Sequence, residues 1–359
     1  MAAPSPLRRG LALVGLVLLA GCGQSFRPSA PTGAPLRIVT TVLPVGLFTQ
    51  AVAGSCAQVE ALLPASADLH DLPVSPQLVG RLRGADVLVF NGLGLEAPLE
   101  QLLAGADGPR PRTIVAAAGL DPLPATAHDH DHDSGHGHAA AHGHAAAHGH
   151  GATHGQEKGA NAARSAGTPQ SPGPAGASVN PHVWLDPRRA AGQVRAIRDG
   201  LATADPPRAA CFRRNAALFL SELERLDRDL ARQLAPYAGR PILSFHDLAP
   251  YFAQRYGLRA ESVVDLPEES PSVADLRRVV GELRRQRLRG LLVDPQNERP
   301  SFQALADDLD LVLLPFDPIE RADEVQARRP SHYLEAMRRN GASVVESLRS
   351  AGEDPPDLR

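Results

Sequence analysis

Lysine is all but missing from this chain of 359 residues: Lys158 is the only one. Arginine carries the positive charge, an imbalance of coding and not of function. Lysine and arginine together number 37 against 40 acidic residues, a formal net charge of -3. No basic excess therefore draws the chain to nucleic acid. The apolar run LALVGLVLLA (11–20) has ten residues, where a helix spanning a bilayer needs about 20. Cysteine is scarce, with three in the chain. What is abundant is hydrophobic residues, 43% of the chain, enough for a sizeable core and, at this length, for two domains.

The amino-terminal run follows Arg8 and Arg9 and ends in Leu19-Ala20-Gly21-Cys22. A basic start, a short apolar stretch and small residues before the cysteine read as an export signal over 1–21. They resemble a bacterial lipobox, which implies that Cys22 is lipidated and anchors the chain to membrane lipid outside the cytoplasm. Residues 22–35 are rich in Pro, Ser and Gly and read as a flexible tether. Cys56 and Cys211 remain. Export permits a disulfide, but nothing in their spacing demands one, and they are expected as two separate small hydrophobes.

From residue 36 short apolar runs alternate with helical stretches: LRIVTT (36–41), DVLVFNG (86–92) and TIVAAAG, with SPQLVGRLRGA and LEAPLEQLLAG between them. Strands apolar on both faces and alternating with helices predict a parallel α/β sheet. The pattern breaks over about 121–178, where Pro, Ala, Gly, His and Ser dominate and too little apolar surface is present to order the segment. It carries ten of the fourteen histidines: His128, His130, His132, His136, His138, His142, His144, His148, His150 and His154. In RAACFRRNAALFLSELERLDRDLARQL, Phe212, Leu218, Phe219, Leu223, Leu226, Leu230 and Leu234 keep a helical period, which predicts a long rigid connector. The α/β pattern then resumes with PILSFHD (241–247), ESVVDL, GLLVDP and LVLLPFDP, and a last helix starts near Ser331. The expected fold is two α/β lobes with parallel sheets joined by one long rigid helix. The lobes span 36–205, with the insertion inside, and 236–359, and the helix spans 206–235.

Four polar residues are expected where apolar strands end: His70, His182 in NPHVWLDP, His246 in SFHDLAPYF and Asp317 in LPFDP. Ligands bind at the carboxyl ends of strands in open parallel sheets, and three imidazoles with one carboxylate complete a tetrahedral zinc shell. Taken singly, a histidine after a strand is commonly a hydrogen-bonded loop residue, and Asp-Pro is commonly a turn. Asp68 and Asp71 beside His70 read as solvated. His332 reads as a helix-surface residue and Trp184 as packing.

The segments SPQLVGRLRGADVLVFNGLGLE after His70, NPHVWLDP, FHDLAPYFAQRYGL and VDPQNERPSFQALADDLDLVLLPFDP together resemble the metal-binding lipoproteins of bacterial ABC transporters for zinc and manganese. The likeness is strongest to the high-affinity zinc uptake binding proteins. The resemblance covers about 36–345 apart from the insertion. It implies that His70, His182, His246 and Asp317 hold one metal ion tightly in the cleft between the lobes. It also implies that the partner is an ABC permease with its cytoplasmic ATPase. The sequence departs at Asp68-Leu69-His70, where the family commonly has Asp-Pro-His, and at Asp294, where the family usually has Glu.

Manganese and iron binders of that family typically carry glutamate at the position of His246. Imidazole there favours zinc, the softer ion. A manganese or iron carrier of the same family is the first alternative, and a surface zinc buffer acting through the insertion is the second. A zinc hydrolase needs an open water position and a nearby base. Four ligands would fill the shell, and Asp247, adjacent to His246, would reach a different point, so no enzyme is expected. The chain is expected to be a monomer, with further weak zinc ions on the histidine run.

Overall fold

The computed structural model describes residues 33–67, 76–105, 110–125, 179–264, 288–296 and 300–350, with a few positions between 277 and 286. Cys22, His70, Asp68, Asp71 and the ten histidines of the insertion lie outside the described residues.

Two four-stranded parallel sheets share one strand order. In the first, β1 (Arg37–Thr40), β2 (Gln58–Ala61), β3 (Val87–Phe90) and β4 (Arg112–Val115) run β2-β1-β3-β4. In the second, β5 (Pro241–Ser244), β6 (Arg259–Ser262), β7 (Gly290–Val293) and β8 (Val312–Pro315) run β6-β5-β7-β8. The central strands β3, β5 and β7 are buried at every position, and β1 at three of four. The outer strands β2 and β4 each expose three of four residues, and β8 exposes two of four. The expectation of strands apolar on both faces therefore holds in the centre of each sheet, where helices cover both sides. It fails at the edges, where one flank meets water.

In each sheet the chain steps to one side of its first strand and then to the other. The order thus reverses between β1 and β3, and between β5 and β7. Such a reversal leaves a crevice at the carboxyl ends of the strands. Thr41 and Asn91 follow β1 and β3, and His246 and Asp294 stand just beyond β5 and β7.

The first sheet is covered by α1 (Leu43–Ala53), α2 (Pro76–Arg83), α3 (Ala97–Gly105) and α4 (Pro187–Ala204). Helix α4 starts with Pro187 at its first turn, and the Asp186 side chain caps it by accepting from the Arg188 amide at 2.8 Å. Then comes α5 (Ala209–Leu234), followed in the second half by α6 (Pro250–Arg255), α7 (Pro300–Leu309) and α8 (Ser331–Ser350). Among the described residues no helix is long and apolar enough to cross a membrane.

Helix α5 is the joint between the lobes. Phe212, Ala216, Phe219, Leu223, Leu226, Leu230 and Leu234 are buried on one stripe. They belong to a single apolar core with Ile38 and Val89 of the first sheet and Ile242 and Leu292 of the second. Leu218 is 68% exposed. It sits beside Phe219 and so points about 100° away from the stripe. Helix α8 comes close enough to α5 that a Cβ at Gly341 would overlap Leu230. Asp227 lies inside the stripe and is paired: Arg255 of α6 reaches it at 2.6 Å and Arg188 of α4 at 3.2 Å. A buried carboxylate is tolerable only with such partners.

Cys56 and Cys211 form a disulfide, contrary to the expectation of separate thiols. It joins the loop after α1 to the first turn of α5, across 155 residues of sequence. Closing so long a loop restricts the unfolded chain. Replacing both cysteines by serine is expected to lower unfolding stability by roughly 2–5 kcal/mol, measured by denaturant unfolding. An unchanged midpoint with an unchanged slope would show that the link contributes nothing.

Candidate metal centre

The end of the first sheet is organised by a buried carboxylate. Glu96, fully buried, accepts from the Thr41 hydroxyl at 2.6 Å, from the Asn91 amide at 2.7 Å and from the Gly92 amide at 2.9 Å. Burial pushes its pKa up, against the pull of these three donors. The turn it holds has three successive residues in the left-handed region: Gly92 (φ 86°), Leu93 (φ 60°) and Gly94 (φ 83°). Asn91 is fixed in turn by Gln193, which donates to its side-chain oxygen at 2.8 Å. Its own Nδ2 donates to the Pro181 carbonyl at 3.3 Å. The first sheet thereby sets the position of the residue before His182.

His182 does not follow a sheet strand. It stands between an isolated bridge, Pro124 with Val179, and a turn of 3-10 helix, Val183–Leu185. Asn180 orients it. The Asn180 side-chain oxygen accepts from the His182 amide at 3.0 Å and lies 2.8 Å from His182 Nδ1. Asn180 Nδ2 donates to the Asp247 carbonyl at 2.8 Å and to its carboxylate at 3.2 Å. Because Nδ2 is spent on Asp247, the oxygen faces the ring, and Nδ1 must carry the hydrogen. Nε2 is then the nitrogen left to bind a metal, the tautomer arrangement common to metal-ligating histidines. Tyr251 completes the bracket by donating to the Asn180 carbonyl at 2.6 Å and accepting from the Leu123 amide at 2.9 Å.

His246 is buried and its ring centroid is 6.4 Å from that of His182. Two imidazoles on one tetrahedral zinc, with bonds of 2.0–2.1 Å, would have centroids about 5 Å apart. The pair is therefore about 1.4 Å wider than a shared-ion spacing. Trp184 is fully buried, as expected of a packing residue. Its indole N–H also donates to the Pro318 carbonyl at 2.8 Å, and its ring meets His182 edge-on at 5.4 Å.

Asp317 is buried in the segment after β8. Its Oδ1 accepts from the Ile319 amide at 2.8 Å, and its Oδ2 lies 3.6 Å from Arg339. Asn340 clamps its backbone with two bonds of 2.8 Å. Burial raises its pKa despite the nearby His332 and Arg339. His332 is only 3% exposed, which corrects its reading as a surface residue: the first turn of α8 is packed inward, with Tyr333 fully buried beside it. Burial lowers the His332 pKa, and Asp317 opposes that shift.

Glu320 was not singled out from the sequence. It is buried, and its Oε1 lies 2.7 Å from His182 Nε2. It also borders a cavity of about 30 Å3 together with Thr41, Leu63, Ala65 and Ala67. Ala322 donates to the Ala65 carbonyl at 2.9 Å. The segment bearing Glu320 thus touches the loop that leads to His70, which follows Ala67 by three positions. Among the described residues no three His, Cys, Asp or Glu side chains gather around one point. A cavity of about 1270 Å3 opens elsewhere, between β2 and α5, and no histidine is among its lining residues.

Residues 38–347 match a family model described as ZnuA, the periplasmic component A of a zinc-uptake complex. The chain belongs to that family. It is 35% identical over 269 residues to the high-affinity zinc uptake system protein ZnuA of Paracoccus denitrificans, covering 75% of this chain and 78% of the relative. It is 26% identical over 319 residues to the zinc-binding lipoprotein AdcA of Streptococcus pneumoniae serotype 4, covering 88% of this chain. The chain spans 56% of the length of that relative. The crystal structure of the Zn(II)-bound ZnuA-like domain of the pneumococcal AdcA shares the fold, with a TM-score of 0.66 and 23% identity over 88% of this chain and 99% of the domain.

Removing the Glu96 side chain would strand three buried donors. Glu96→Ala is expected to cost on the order of 3 kcal/mol in thermal or denaturant unfolding. A loss below about 0.5 kcal/mol, the range of an ordinary surface substitution, would show that the turn holds itself.

Proposed function

We propose that this protein is the extracytoplasmic zinc-binding component of an ABC transporter. It captures Zn2+ between its two lobes and passes it to a membrane permease driven by a cytoplasmic ATPase. The observation that carries the reading is the approach of two buried imidazoles from opposite lobes, His182 and His246, at 6.4 Å between ring centroids. Membership of the zinc-uptake family and the names of its relatives support the same cargo. His70, His182 and His246 are the proposed nitrogen ligands, with a carboxylate from the segment after β8, where the sequence points to Asp317. An all-nitrogen and carboxylate set suits zinc, and replacing an imidazole by carboxylate favours a harder ion such as manganese.

The histidines between 128 and 154 are proposed as further, weaker sites. They lack apolar neighbours to preplace them, so each residue fixed on binding costs about 1–2 kcal/mol of chain entropy. Clustered sites still raise the local metal concentration. Lipidation at Cys22 is proposed to hold the protein at the membrane as a monomer.

Isothermal titration with Zn2+ tests the assignment. His182→Ala and His246→Ala are each expected to lose the tight event, by at least the 10–100-fold that loss of a supporting residue causes. Deleting 128–154 should lower capacity and leave one tight ion. Binding should weaken on acidification, because a ligating imidazole must be unprotonated. A tight event that vanishes with the deletion and survives both alanine substitutions would move the site to the histidine run. His246→Glu is expected to raise the ratio of manganese to zinc affinity, read by competition between the two ions. For the anchor, Cys22→Ser should move the protein from the membrane to the soluble fraction, and a variant still in the membrane would exclude lipidation there.

A further inference from the structure

We propose that Tyr251 is a positioning residue of the capture site: its hydroxyl holds the backbone that carries His182, and that hold slows escape of the captured ion. The inference rests on the zinc-capture reading above and deepens it. Tyr251 is fully buried at the start of α6, five residues past His246. Its hydroxyl belongs to a closed ring of three hydrogen bonds. It donates to the Asn180 carbonyl at 2.6 Å and accepts from the Leu123 amide at 2.9 Å, and the Asn180 amide donates to the Leu123 carbonyl at 2.9 Å. One phenol from the second lobe thus clamps both chain segments that meet at the bridge of Pro124 with Val179. Burial pushes the Tyr251 phenol up, so the hydroxyl keeps its proton and stays a donor to the carbonyl.

The hold acts on His182 through Asn180. The Asn180 side-chain oxygen fixes the amide and the ring of His182, and its Nδ2 reaches the Asp247 carbonyl beside His246. With its main-chain carbonyl held by Tyr251, Asn180 is fixed on every side that bears on the two imidazoles. The Tyr251 ring has a support of its own. The Arg189 guanidinium of α4 lies 5.0 Å above its centroid, a cation–π contact, and Arg189 is 3.4 Å from Asp186, the cap of α4. Removing the hydroxyl oxygen therefore leaves the ring in place and frees Asn180 alone. The imidazole centroids stand 6.4 Å apart, so the two rings must close slightly on a shared ion. A loosened Asn180 lets His182 swing away from that ion. Changes of this kind within one site fall mostly on the rate of departure and little on the rate of capture.

The test uses the full-length protein loaded with one equivalent of Zn2+. Tyr251→Phe keeps the ring and removes the oxygen. Stopped-flow mixing with excess chelator is expected to show zinc release at least about 10-fold faster than wild type, while mixing with Zn2+ shows capture at the wild-type rate. A readout without metal accompanies it. Nitrogen NMR of the His182 ring is expected to show the Nδ1–H tautomer in the wild type and a mixture of tautomers in Tyr251→Phe. Tyr256→Phe is the control. It removes another buried hydroxyl next to α6, one that lies 3.4 Å from Asp227, and is expected to lower the melting temperature with zinc release unchanged. Hydrogen exchange of the wild type tests the clamp if Tyr251→Phe does not fold: the Leu123 amide is expected to be protected in the zinc-loaded protein, and an unprotected one would overturn the proposal. Wild-type release and tautomer in Tyr251→Phe, while His182→Ala loses the ion, would overturn this inference alone. So would equal acceleration in Tyr256→Phe, since release would then follow stability. Retention of the tight ion by both His182→Ala and His246→Ala would overturn the capture site and this inference together.

Discussion

The carboxamide of Asn180 sits where the two lobes meet, and the candidate site depends on what it holds. Its oxygen fixes the backbone and the ring of His182, and its nitrogen fixes Asp247, the neighbour of His246. One planar group therefore sets the separation between two imidazoles that arrive from different sheets. Both ends of the amide are consumed, so the group has no freedom to flip. Asn91 extends the same chain of bonds back to the first sheet through the Pro181 carbonyl, and Glu96 holds Asn91. The order of construction runs from buried carboxylate to turn, from turn to Pro181, and from Pro181 to the imidazole.

That chain can hold its dimensions because the lobes do not move freely. The apolar stripe of α5 belongs to one core with both sheets, and the Asp227 cluster ties α4, α5 and α6 at the same level. Opening the lobes as rigid bodies would expose Leu223, Leu226 and Leu230 and separate a buried charge from its partners. Each such side chain is worth about 1.5–3 kcal/mol in burial alone.

Much of this was legible in the chain. Apolar runs of four to six residues alternating with helical stretches gave the two sheets, and the spacing of Phe212, Phe219, Leu223, Leu226, Leu230 and Leu234 gave the joint. His182 and His246 stood out in NPHVWLDP and FHD. Other features depend on contacts that no local pattern records. The pairing of Cys56 with Cys211 is decided by the packing of α1 on α5. His332 follows the Ser331 that opens a helix, an address usually open to water, but that turn packs against the Asp317 segment. Leu218 fits a helical period only loosely, one position from Phe219, and the stripe leaves it outside. Glu320 lies three residues past the Asp that the motif advertises, and its direction follows from a left-handed residue between them.

Left-handed residues other than glycine occur on both sides of the site. Leu93 follows β3 and Ile319 follows β8, at φ 60° and 62°. Each conformation costs of order 1–3 kcal/mol and persists only where surrounding bonds over-determine it. Around Leu93 the determination comes from Glu96, whose three accepted bonds are made in a buried environment. Around Ile319 it comes from Asp317 and Asn340. Net worth of a single hydrogen bond is about 1 kcal/mol, so no single bond could hold either turn, whereas three or more can. The two strained turns thus carry their cost in the folded chain before any ligand arrives. His182 is thus presented on backbone ordered before any ligand arrives, so that an ion held there as proposed would leave little backbone to order.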